Sequence, residues 1–407
     1  SMGIELTYAD VDRLSRDFAA WLQSVVKLPK GARVALMMPN TLQYPVCMFG
    51  VLRAGYVVVN VNPLYTPREL EQQLKDSGAD VIVIMENFAA TLEEVLDRTP
   101  VKHVVLTKMG DMLGGLKGGI VNFVVKYVKK LVPHYSLPKA VSLNAVLSKG
   151  AGAEFKKVEI TQEDLAFLQY TGGTTGVSKG AMLTHRNIVG NVLQAYAWIK
   201  PAIAEGKECI ITALPLYHIF ALTANCFTFF QIGAKNVLIA NPRDIPGFVA
   251  EMGKHQFSVL TGVNTLFNAL LNNEAFCALD FSTLKVTLGG GMAVQKAVAD
   301  KWMQVTGKPL VEAYGLTETS PAATINPLNI KAYNGSIGLP ISSTEVEIRD
   351  DNGQAVAHGQ PGELCVRGPQ VMKGYYNRPD ETANVMMADG FLRTGDVAVM
   401  DDNGFFR

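Results

Sequence analysis

A loop rich in glycine and threonine follows Tyr170 and is the segment of this sequence that most directly suggests chemistry. Its glycines let the backbone approach an anion closely, and consecutive exposed N–H groups form an anion-binding concavity. Threonine hydroxyls and a lysine ammonium add hydrogen-bond donors and charge. These groups suit the β- and γ-phosphates of ATP during attack on its α-phosphorus. The residues concerned are Thr171, Gly172, Gly173, Thr174, Thr175, Gly176 and Lys179.

This loop is not a Walker A loop, which requires G-x-x-x-x-G-K-[ST]. Here Ser178 precedes the lysine and Gly180 follows it. The alternative is a glycine- and threonine-rich turn that joins two strands. We favour phosphate binding because the length, order and chemistry of the segment agree with it.

Two other segments are predicted to run from a strand into a helix, and pockets in open α/β sheets form at such carboxyl ends. One contains Val263, and the other contains Gly289–Gly291 before Met292. Triple glycine lets a flat ring lie against the backbone, and a tight turn for close packing is an equal alternative.

His218 lies in an apolar and aromatic run, where a histidine is more often a core residue than a catalyst.

Two motifs further along the chain suit an adenosine and its phosphate. Tyr314 offers an aromatic face for adenine, Thr317 a hydroxyl near the α-phosphate, and Glu318 a hard oxygen for Mg²⁺. The alternative is a helix start at which Thr317 and Glu318 bond free N–H groups. Asp396, in Thr394-Gly-Asp396, could accept from the two vicinal hydroxyls of a ribose. An isolated aspartate of this kind would more often be a turn residue.

With these motifs in this order, the sequence resembles the adenylate-forming enzymes, which include acyl-CoA synthetases, luciferases and peptide-synthetase adenylation domains. Residues 170–180 are similar to the signature loop of that family, and residues 314–318 to its Y-G-x-T-E motif. Residues 59–69, 184–187 and 241–247 are most similar to bacterial long-chain fatty acyl-CoA ligases. The resemblance covers essentially the whole chain.

The resemblance implies roles for single residues. It gives His218 a role in shaping the site between half-reactions, places Val263 in the acyl pocket, and assigns Asp396 to the ribose. It implies that Glu318 contacts Mg²⁺, with Thr171 as a second contact. It places Gly289 and Gly291 at the acyl substrate, and a further set at the nucleotide: Gly290, Gly291, Met292, Tyr314, Gly315, Leu316 and Thr317. The expected catalytic residues are Thr171, Thr174, Thr175, Lys179, His218, Thr317 and Glu318.

The activity implied by the resemblance is ATP-dependent activation of a long-chain fatty acid, with Mg²⁺ and with coenzyme A as co-substrate. Members of the family continue past the position of Arg407 with a hinge and a small mobile C-terminal domain. That domain carries a lysine that stabilises the adenylation transition state, and surfaces that accept CoA. We therefore expect this chain to bind nucleotide but to catalyse slowly or not at all.

Two alternatives to this activity remain. The first is a fatty acyl-AMP ligase or another acid-activating adenylation enzyme, although no carboxylate stands out near Val263 or Gly289 to hold the amine of an amino acid. The second is a non-catalytic nucleotide-sensing or scaffold module.

The length of 407 residues predicts more than one core. Alternating strand and helix patterns predict an α/β fold with two doubly wound, mainly parallel sheets packed with helices. From Gly335 onward, alternating residues and turns predict a smaller antiparallel, β-barrel-like subdomain. We expect one α/β subdomain at 1–164, a second at 165–334 with the phosphate loop and the acyl and adenine site, and the β-rich subdomain at 335–407.

The balance of 37 basic and 37 acidic residues gives no global attraction to nucleic acid, so no nucleic-acid partner is expected. Five widely spaced cysteines favour a reducing compartment, and we expect a cytoplasmic protein. Residues 120–131 place apolar residues on one side and lysines on the other. An ordinary surface helix is favoured there, and peripheral contact with the inner face of a membrane is the alternative. A homodimer is the favoured assembly.

Overall fold

The computed structural model describes residues 2–171 and 178–407. The chain divides into two compact units, 1–185 and 186–407, and each is described by itself.

The described residues of the first unit form a sheet with the strand order β5-β4-β3-β1-β2-β6-β7. Its pairs are parallel except for the antiparallel pair β6–β7. Central strands such as β3 are buried along their whole length, as expected for short apolar runs covered on both faces. The strands are β1 (Arg33–Met37), β2 (Val57–Asn60), β3 (Val81–Met85), β4 (His103–Thr107), β5 (Val141–Ser142), β6 (Leu165–Thr171) and β7 (Lys179–Thr184).

The helices of this unit begin and end where local chemistry directs. In α3, the Thr66 side chain accepts from the Glu69 N–H, Pro67 occupies the first turn, and left-handed Gly78 ends the helix. The helices are α1 (Tyr8–Trp21), α2 (Gln43–Arg53), α3 (Pro67–Ser77), α4 (Ala89–Glu93), α5 (Gly115–Phe123) and α6 (Leu143–Ala151). Helices α1 and α5 continue as π-helical segments, Leu22–Val26 and Val124–Val128.

The boundary expected at 164/165 differs from the structure. Strand β6 pairs in parallel with β2, with Val58 opposite Phe167 and Val59 opposite Leu168, so residues 165–184 complete the first sheet. The apolar residues of β6 are buried in that position. Strands β2 and β6 are separated by about a hundred residues, and order along the chain does not reveal which strands become neighbours.

The second unit contains a sheet whose described strands follow the order β14-β13-β12-β11-β10-β8-β9. It is parallel from β9 to β12 and antiparallel at β13 and β14. The strands are β8 (Cys209–Thr212), β9 (Lys235–Leu238), β10 (Val259–Gly262), β11 (Val286–Gly289), β12 (Leu310–Gly315), β13 (Ala322–Ile325) and β14 (Leu339–Pro340).

A core cluster of this unit contains several aromatic side chains, and the Phe267 and Trp302 rings meet edge to face at 4.9 Å. The helices are α7 (His185–Ile199), α8 (Ile219–Ala221), α9 (Thr228–Gln231), α10 (Ile245–Met252), α11 (Asn264–Leu271), α12 (Glu274–Cys277), α13 (Lys296–Thr306) and α14 (Pro379–Val385).

The β-rich part is an antiparallel sheet of three described strands, β15 (Glu345–Arg349), β16 (Gly362–Arg367) and β17 (Leu392–Ala398), with β16 in the centre. The Arg349 guanidinium lies 4.1 Å from the Phe391 ring centre and 2.8 Å from Asp389, so it holds the start of β17 in place. The predicted α/β fold with two mainly parallel sheets and a smaller antiparallel part is confirmed. The expected barrel-like closure of that part is not seen among the described strands.

Within the described ranges, every helix is too short or too polar to cross a lipid bilayer.

Candidate functional site

The predicted phosphate loop joins two antiparallel strands of the first unit. Thr171 ends β6 directly opposite Lys179, the first residue of β7. The Ser178 hydroxyl donates to the Thr171 carbonyl at 2.5 Å, which closes the base of the loop. The predicted residues Gly172, Gly173, Thr174, Thr175 and Gly176 lie outside the described residues. Their phosphate role, and those of Thr171 and Lys179, stay predictions.

A buried polar network supports the strand that leads into this loop. Tyr44 donates to the Asn60 side-chain oxygen at 2.7 Å, and the Asn60 amide donates to Gln169 on β6 at 2.9 Å. The Gln73 amide donates to the Asn60 carbonyl at 2.8 Å. All four side chains are buried. The sequence reasoning missed this network. Its signal in the sequence is a polar residue at two places in apolar strands, Asn60 at the end of β2 and Gln169 within β6.

In the second unit, the glycine-rich segment lies at the end of β11, and Val263 follows the end of the neighbouring strand β10, as predicted. A side chain on Gly289 would meet Leu310 and Val294 at 2.7 and 2.8 Å, and one on Gly290 would meet the Phe220 ring at 3.2 Å. A side chain at either glycine would therefore press on neighbouring groups of the protein itself. Gly291 has a φ of +76°, which favours glycine.

The same strand ends bring two predicted residues together. A Cβ on Gly291 would lie 3.6 Å from Val263, the residue before α11, and Met292 next to it is exposed. The glycine segment, which is predicted to lie against a flat ring, thus borders Val263, which is predicted to lie in the acyl pocket. Both the packing interpretation and the pocket interpretation of the glycines fit this arrangement.

Glu312 fixes the chain just after these glycines, and the sequence reasoning gave it no role. Its side chain is buried and accepts from the Val294 N–H at 3.0 Å. The Tyr333 hydroxyl donates to the Val294 carbonyl at 3.0 Å. Burial raises the pKa of Glu312, because the charged form loses its water. An acidic residue inside the apolar strand Leu310–Gly315 is the sequence signal for this contact.

Tyr314 and Asp396 meet although 82 residues separate them. Strand β12 runs from Leu310 to Gly315, so Tyr314 lies on the strand. Its hydroxyl donates to Asp396 Oδ2 at 2.5 Å. Burial and the neighbouring carboxylate raise the pKa of Tyr314, so it stays protonated and acts as a donor.

Asp396 is held by its own strand as well. Its N–H donates to the Thr394 hydroxyl at 3.1 Å, and that hydroxyl donates to the Leu364 carbonyl at 2.7 Å. Asp396 is exposed, so its carboxylate is within reach of a ligand. The arrangement thus presents an aromatic ring and an oriented carboxylate together.

Thr317 and Glu318 lie on a short 3-10 turn, Thr317–Thr319, that follows Leu316. The side-chain bond to the start of this turn comes from Thr319, whose hydroxyl accepts from the Leu316 N–H at 2.9 Å, rather than from Thr317 or Glu318. The Tyr375 hydroxyl donates to Glu318 Oε1 at 2.6 Å. Burial and Glu318 raise the pKa of Tyr375, so the tyrosine remains a donor. The sequence reasoning missed Tyr375.

Glu318 fits Mg²⁺ as a single carboxylate ligand. Among the described residues, no group of three or more His, Cys, Asp or Glu side chains could hold a metal ion. A magnesium ion that bridges phosphate oxygens keeps most of its ligands from phosphate and water and needs only one or two carboxylates. A lone carboxylate oriented by a tyrosine hydroxyl meets that requirement.

His218 lies at the start of the short helix α8. Its Nδ1 accepts from the Phe220 N–H at 3.3 Å, which fixes the ring and leaves Nε2 to carry the proton of the neutral form. His218 is exposed rather than part of the core. The groups around the imidazole still keep part of it away from water, which lowers the pKa of His218 because the charged form is less well solvated. A neutral histidine suits positioning rather than charge stabilisation.

Comparisons with known proteins agree with these motifs. The family described as AMP-binding enzyme matches residues 1–376. A long-chain-fatty-acid–CoA ligase of Yersinia pestis is 60% identical over 407 residues, covering 100% of this chain and 72% of its own length. The ligase of the same name from Haemophilus influenzae is 56% identical over 405 residues, covering 99% and 72%.

A solved structure is also similar. The long-chain-fatty-acid–CoA ligase from Archaeoglobus fulgidus superposes with a TM-score of 0.82 at 26% identity, covering 99% of this chain and 76% of that chain.

Proposed function

Because the chain belongs to the AMP-binding enzyme family, we propose that it activates a long-chain fatty acid in two ATP-dependent half-reactions. The fatty carboxylate attacks the α-phosphorus of ATP and releases pyrophosphate, which leaves an acyl-adenylate. The CoA thiol then attacks the acyl carbonyl, loses its proton and expels AMP. Each step transfers an acyl or adenylyl group between substrates, so no nucleophilic side chain is required.

The contact between Tyr314 and Asp396 is the observation that carries this proposal. Two residues whose chemistry suits adenine and ribose lie in hydrogen-bond contact, although they are far apart in the sequence. With Tyr314 on Oδ2, the other carboxylate oxygen would accept from a ribose hydroxyl. The glycines at the ends of β10 and β11, with Val263, would border the adenine and the acyl group.

The remaining site residues neutralise charge and position the reacting groups. Thr171, Lys179 and the loop between them would hold the β- and γ-phosphates, and Thr317 would lie near the α-phosphate. Glu318, oriented by Tyr375, would hold Mg²⁺, which when bound neutralises charge on the phosphate oxygens. His218 would shape the acyl side of the site, because a fatty carboxylate is already ionised at neutral pH and needs no base.

Isotope exchange between pyrophosphate and ATP, measured on the full-length protein with and without palmitate, tests this proposal. We expect exchange that depends on palmitate and is at least about tenfold weaker in Asp396→Asn, because a carboxylate bonded to a ribose hydroxyl is worth about 1.5–3 kcal/mol. Asp402→Asn, an exposed turn residue elsewhere in the second unit, is the matched control. Exchange without any dependence on palmitate, or an Asp396→Asn variant that equals the control, would contradict the assignment.

Mass spectrometry of the products that the full-length protein forms with CoA present shows whether CoA accepts the acyl group. Palmitoyl-CoA is the expected product. Palmitoyl-AMP as the only product would indicate a fatty acyl-AMP ligase, and nucleotide binding without any product would indicate a sensing or scaffold role.

A further inference from the structure

The helical segment formed by α5 and the π-helical turn after it exposes large apolar side chains along one side. Residues 116, 120, 123 and 127 follow one another at helical spacing, so their side chains form a continuous stripe. The Phe123 and Tyr127 rings lie 5.2 Å apart within it. We define the apolar face as Leu116 (83% exposed), Ile120 (57%), Phe123 (58%), Tyr127 (61%), Val128 (63%) and Leu131 (55%).

The opposite side of this segment holds it against the first unit through small and polar groups. Gly118 is buried and approaches Gly110 so closely that a Cβ on it would lie 2.3 Å from the Gly110 carbonyl oxygen. Asn122 accepts from the Gly110 N–H at 2.7 Å, and the Asn87 amide donates to the Leu131 carbonyl at 2.9 Å. A helix on a water-exposed surface normally buries its apolar side. Here these contacts hold the small and polar side against the protein, so the apolar side faces the water.

The stretch of sequence that contains the apolar face carries positive charge only. Residues 112–153 contain no aspartate or glutamate, although acidic and basic residues balance over the whole chain. The lysines of this stretch are Lys117, Lys126, Lys129, Lys130, Lys139 and Lys149. Lys129 and Lys130 are exposed, and the Lys126 ammonium lies 5.7 Å from the Tyr127 ring centre. Apolar side chains edged by lysines complement a surface with an apolar interior and anionic headgroups.

We propose that the apolar face docks the protein on the surface of an anionic lipid bilayer. The segment lies in the plane of the headgroups, with Ile120 and Phe123 inserted and the flanking lysines against lipid phosphates. Sequence alone favours an ordinary surface helix for residues 120–131. The outward direction of the apolar side chains is the observation that favours docking instead. The bilayer on which the protein docks would then also be the source of the fatty acid.

Co-sedimentation with vesicles tests this proposal without ATP or fatty acid, so its outcome is independent of the proposed catalytic activity. The probes are vesicles of phosphatidylcholine with about one third phosphatidylglycerol, and vesicles of phosphatidylcholine alone. We expect the 407-residue chain to bind the anionic vesicles, and binding to fall as salt is raised.

Two double variants separate the apolar and the electrostatic contributions. Ile120→Ser with Phe123→Ser should weaken binding to anionic vesicles by about tenfold or more, since two large side chains no longer insert. Lys129→Glu with Lys130→Glu should remove the preference for anionic over neutral vesicles. The matched control is Val189→Ser with Leu193→Ser, two apolar residues on α7 that are 54% and 51% exposed, and it should bind like the parent chain.

Each of the following results would overturn the proposal. The parent chain fails to bind anionic vesicles, or the Ile120 and Phe123 variant binds as well as the α7 control. In a third such result, the parent chain does not bind vesicles, light scattering shows that it forms a dimer, and the Ile120 and Phe123 variant stays monomeric. That result would assign the apolar face to a second copy of the chain. Since all substituted side chains are exposed, circular dichroism should show the same fold for every variant.

Discussion

Gly315 ends β12 at a point where the neighbouring backbone leaves no room for a side chain. A Cβ at this position would lie 1.9 Å from the Pro321 carbonyl oxygen and 2.7 Å from its carbon. The Leu316 N–H donates to that same oxygen at 3.1 Å, and the pairing of β12 with β13 shifts register here. The Gly315→Ala substitution must therefore move backbone rather than a flexible side chain.

These contacts determine how much the Gly315→Ala substitution lowers the free energy of unfolding. Forcing an extra carbon into a packed site costs about 1–3 kcal/mol, and loss of the Leu316–Pro321 hydrogen bond adds about 1 kcal/mol. We expect Gly315→Ala to lower the free energy of unfolding of the second unit by about 2–4 kcal/mol. For a unit of this size, that corresponds to a melting temperature about 4–16 °C lower.

Urea unfolding followed by tryptophan fluorescence measures this effect, because Trp198 and Trp302 both lie in the second unit. Gly307→Ala is the matched control. Gly307 has a φ of +67° but no atom within 4 Å of its would-be Cβ, so the control contains backbone strain of about 1 kcal/mol without the clash. If the two variants unfolded within about 0.5 kcal/mol of each other, the reasoning from the Pro321 contact would be wrong.

Two further predictions concern Glu312 and Tyr375. Folded Glu312 keeps its proton at pH values above its ordinary pKa of 4.5, where the unfolded chain has lost it, so this group makes the protein less stable as pH rises. Urea unfolding of Glu312→Gln should therefore show a stability gain over the parent that grows as the pH is raised above 4.5; a difference independent of pH, or the same growth in exposed Glu274→Gln, would contradict it. Tyr375→Phe should weaken MgATP binding by about 10- to 100-fold, the value of a hydrogen bond to a charged group. Calorimetry should show little change with Mg²⁺-free ATP or in Tyr376→Phe, and an equal loss without Mg²⁺ would refute a role through Glu318.

Local structure could be read from the sequence wherever one short-range pattern decides it. The apolar runs at β1 and β3 and the helices around Val11 and Leu70 follow from periodicity and from caps such as Thr66. The sequence also predicted the alternation of strand and helix in both large sheets. These features depend on neighbours within a few residues, and such neighbours are visible in one sequence.

Features that depend on distant partners could not be predicted in this way. The position of β6 beside β2 depends on packing across about a hundred residues, so the sequence pattern places the first domain boundary too early. Tyr375 was missed because its contact with Glu318 joins segments 57 residues apart. Tyr314 and Asp396 were assigned to one nucleotide by chemistry and resemblance, whereas only the structure shows that they touch.

The pairing of β6 with β7 has a consequence for how this protein can change over evolution. From Phe167 to Thr171 each residue of β6 has a partner on β7, and β6 is also bound to β2 on its other edge. The two strands therefore keep their register without help from the residues that connect them. If the connecting segment holds phosphate as predicted, mutations in it should alter ligand affinity while the surrounding domain stays folded, so selection could act on binding and on foldability separately.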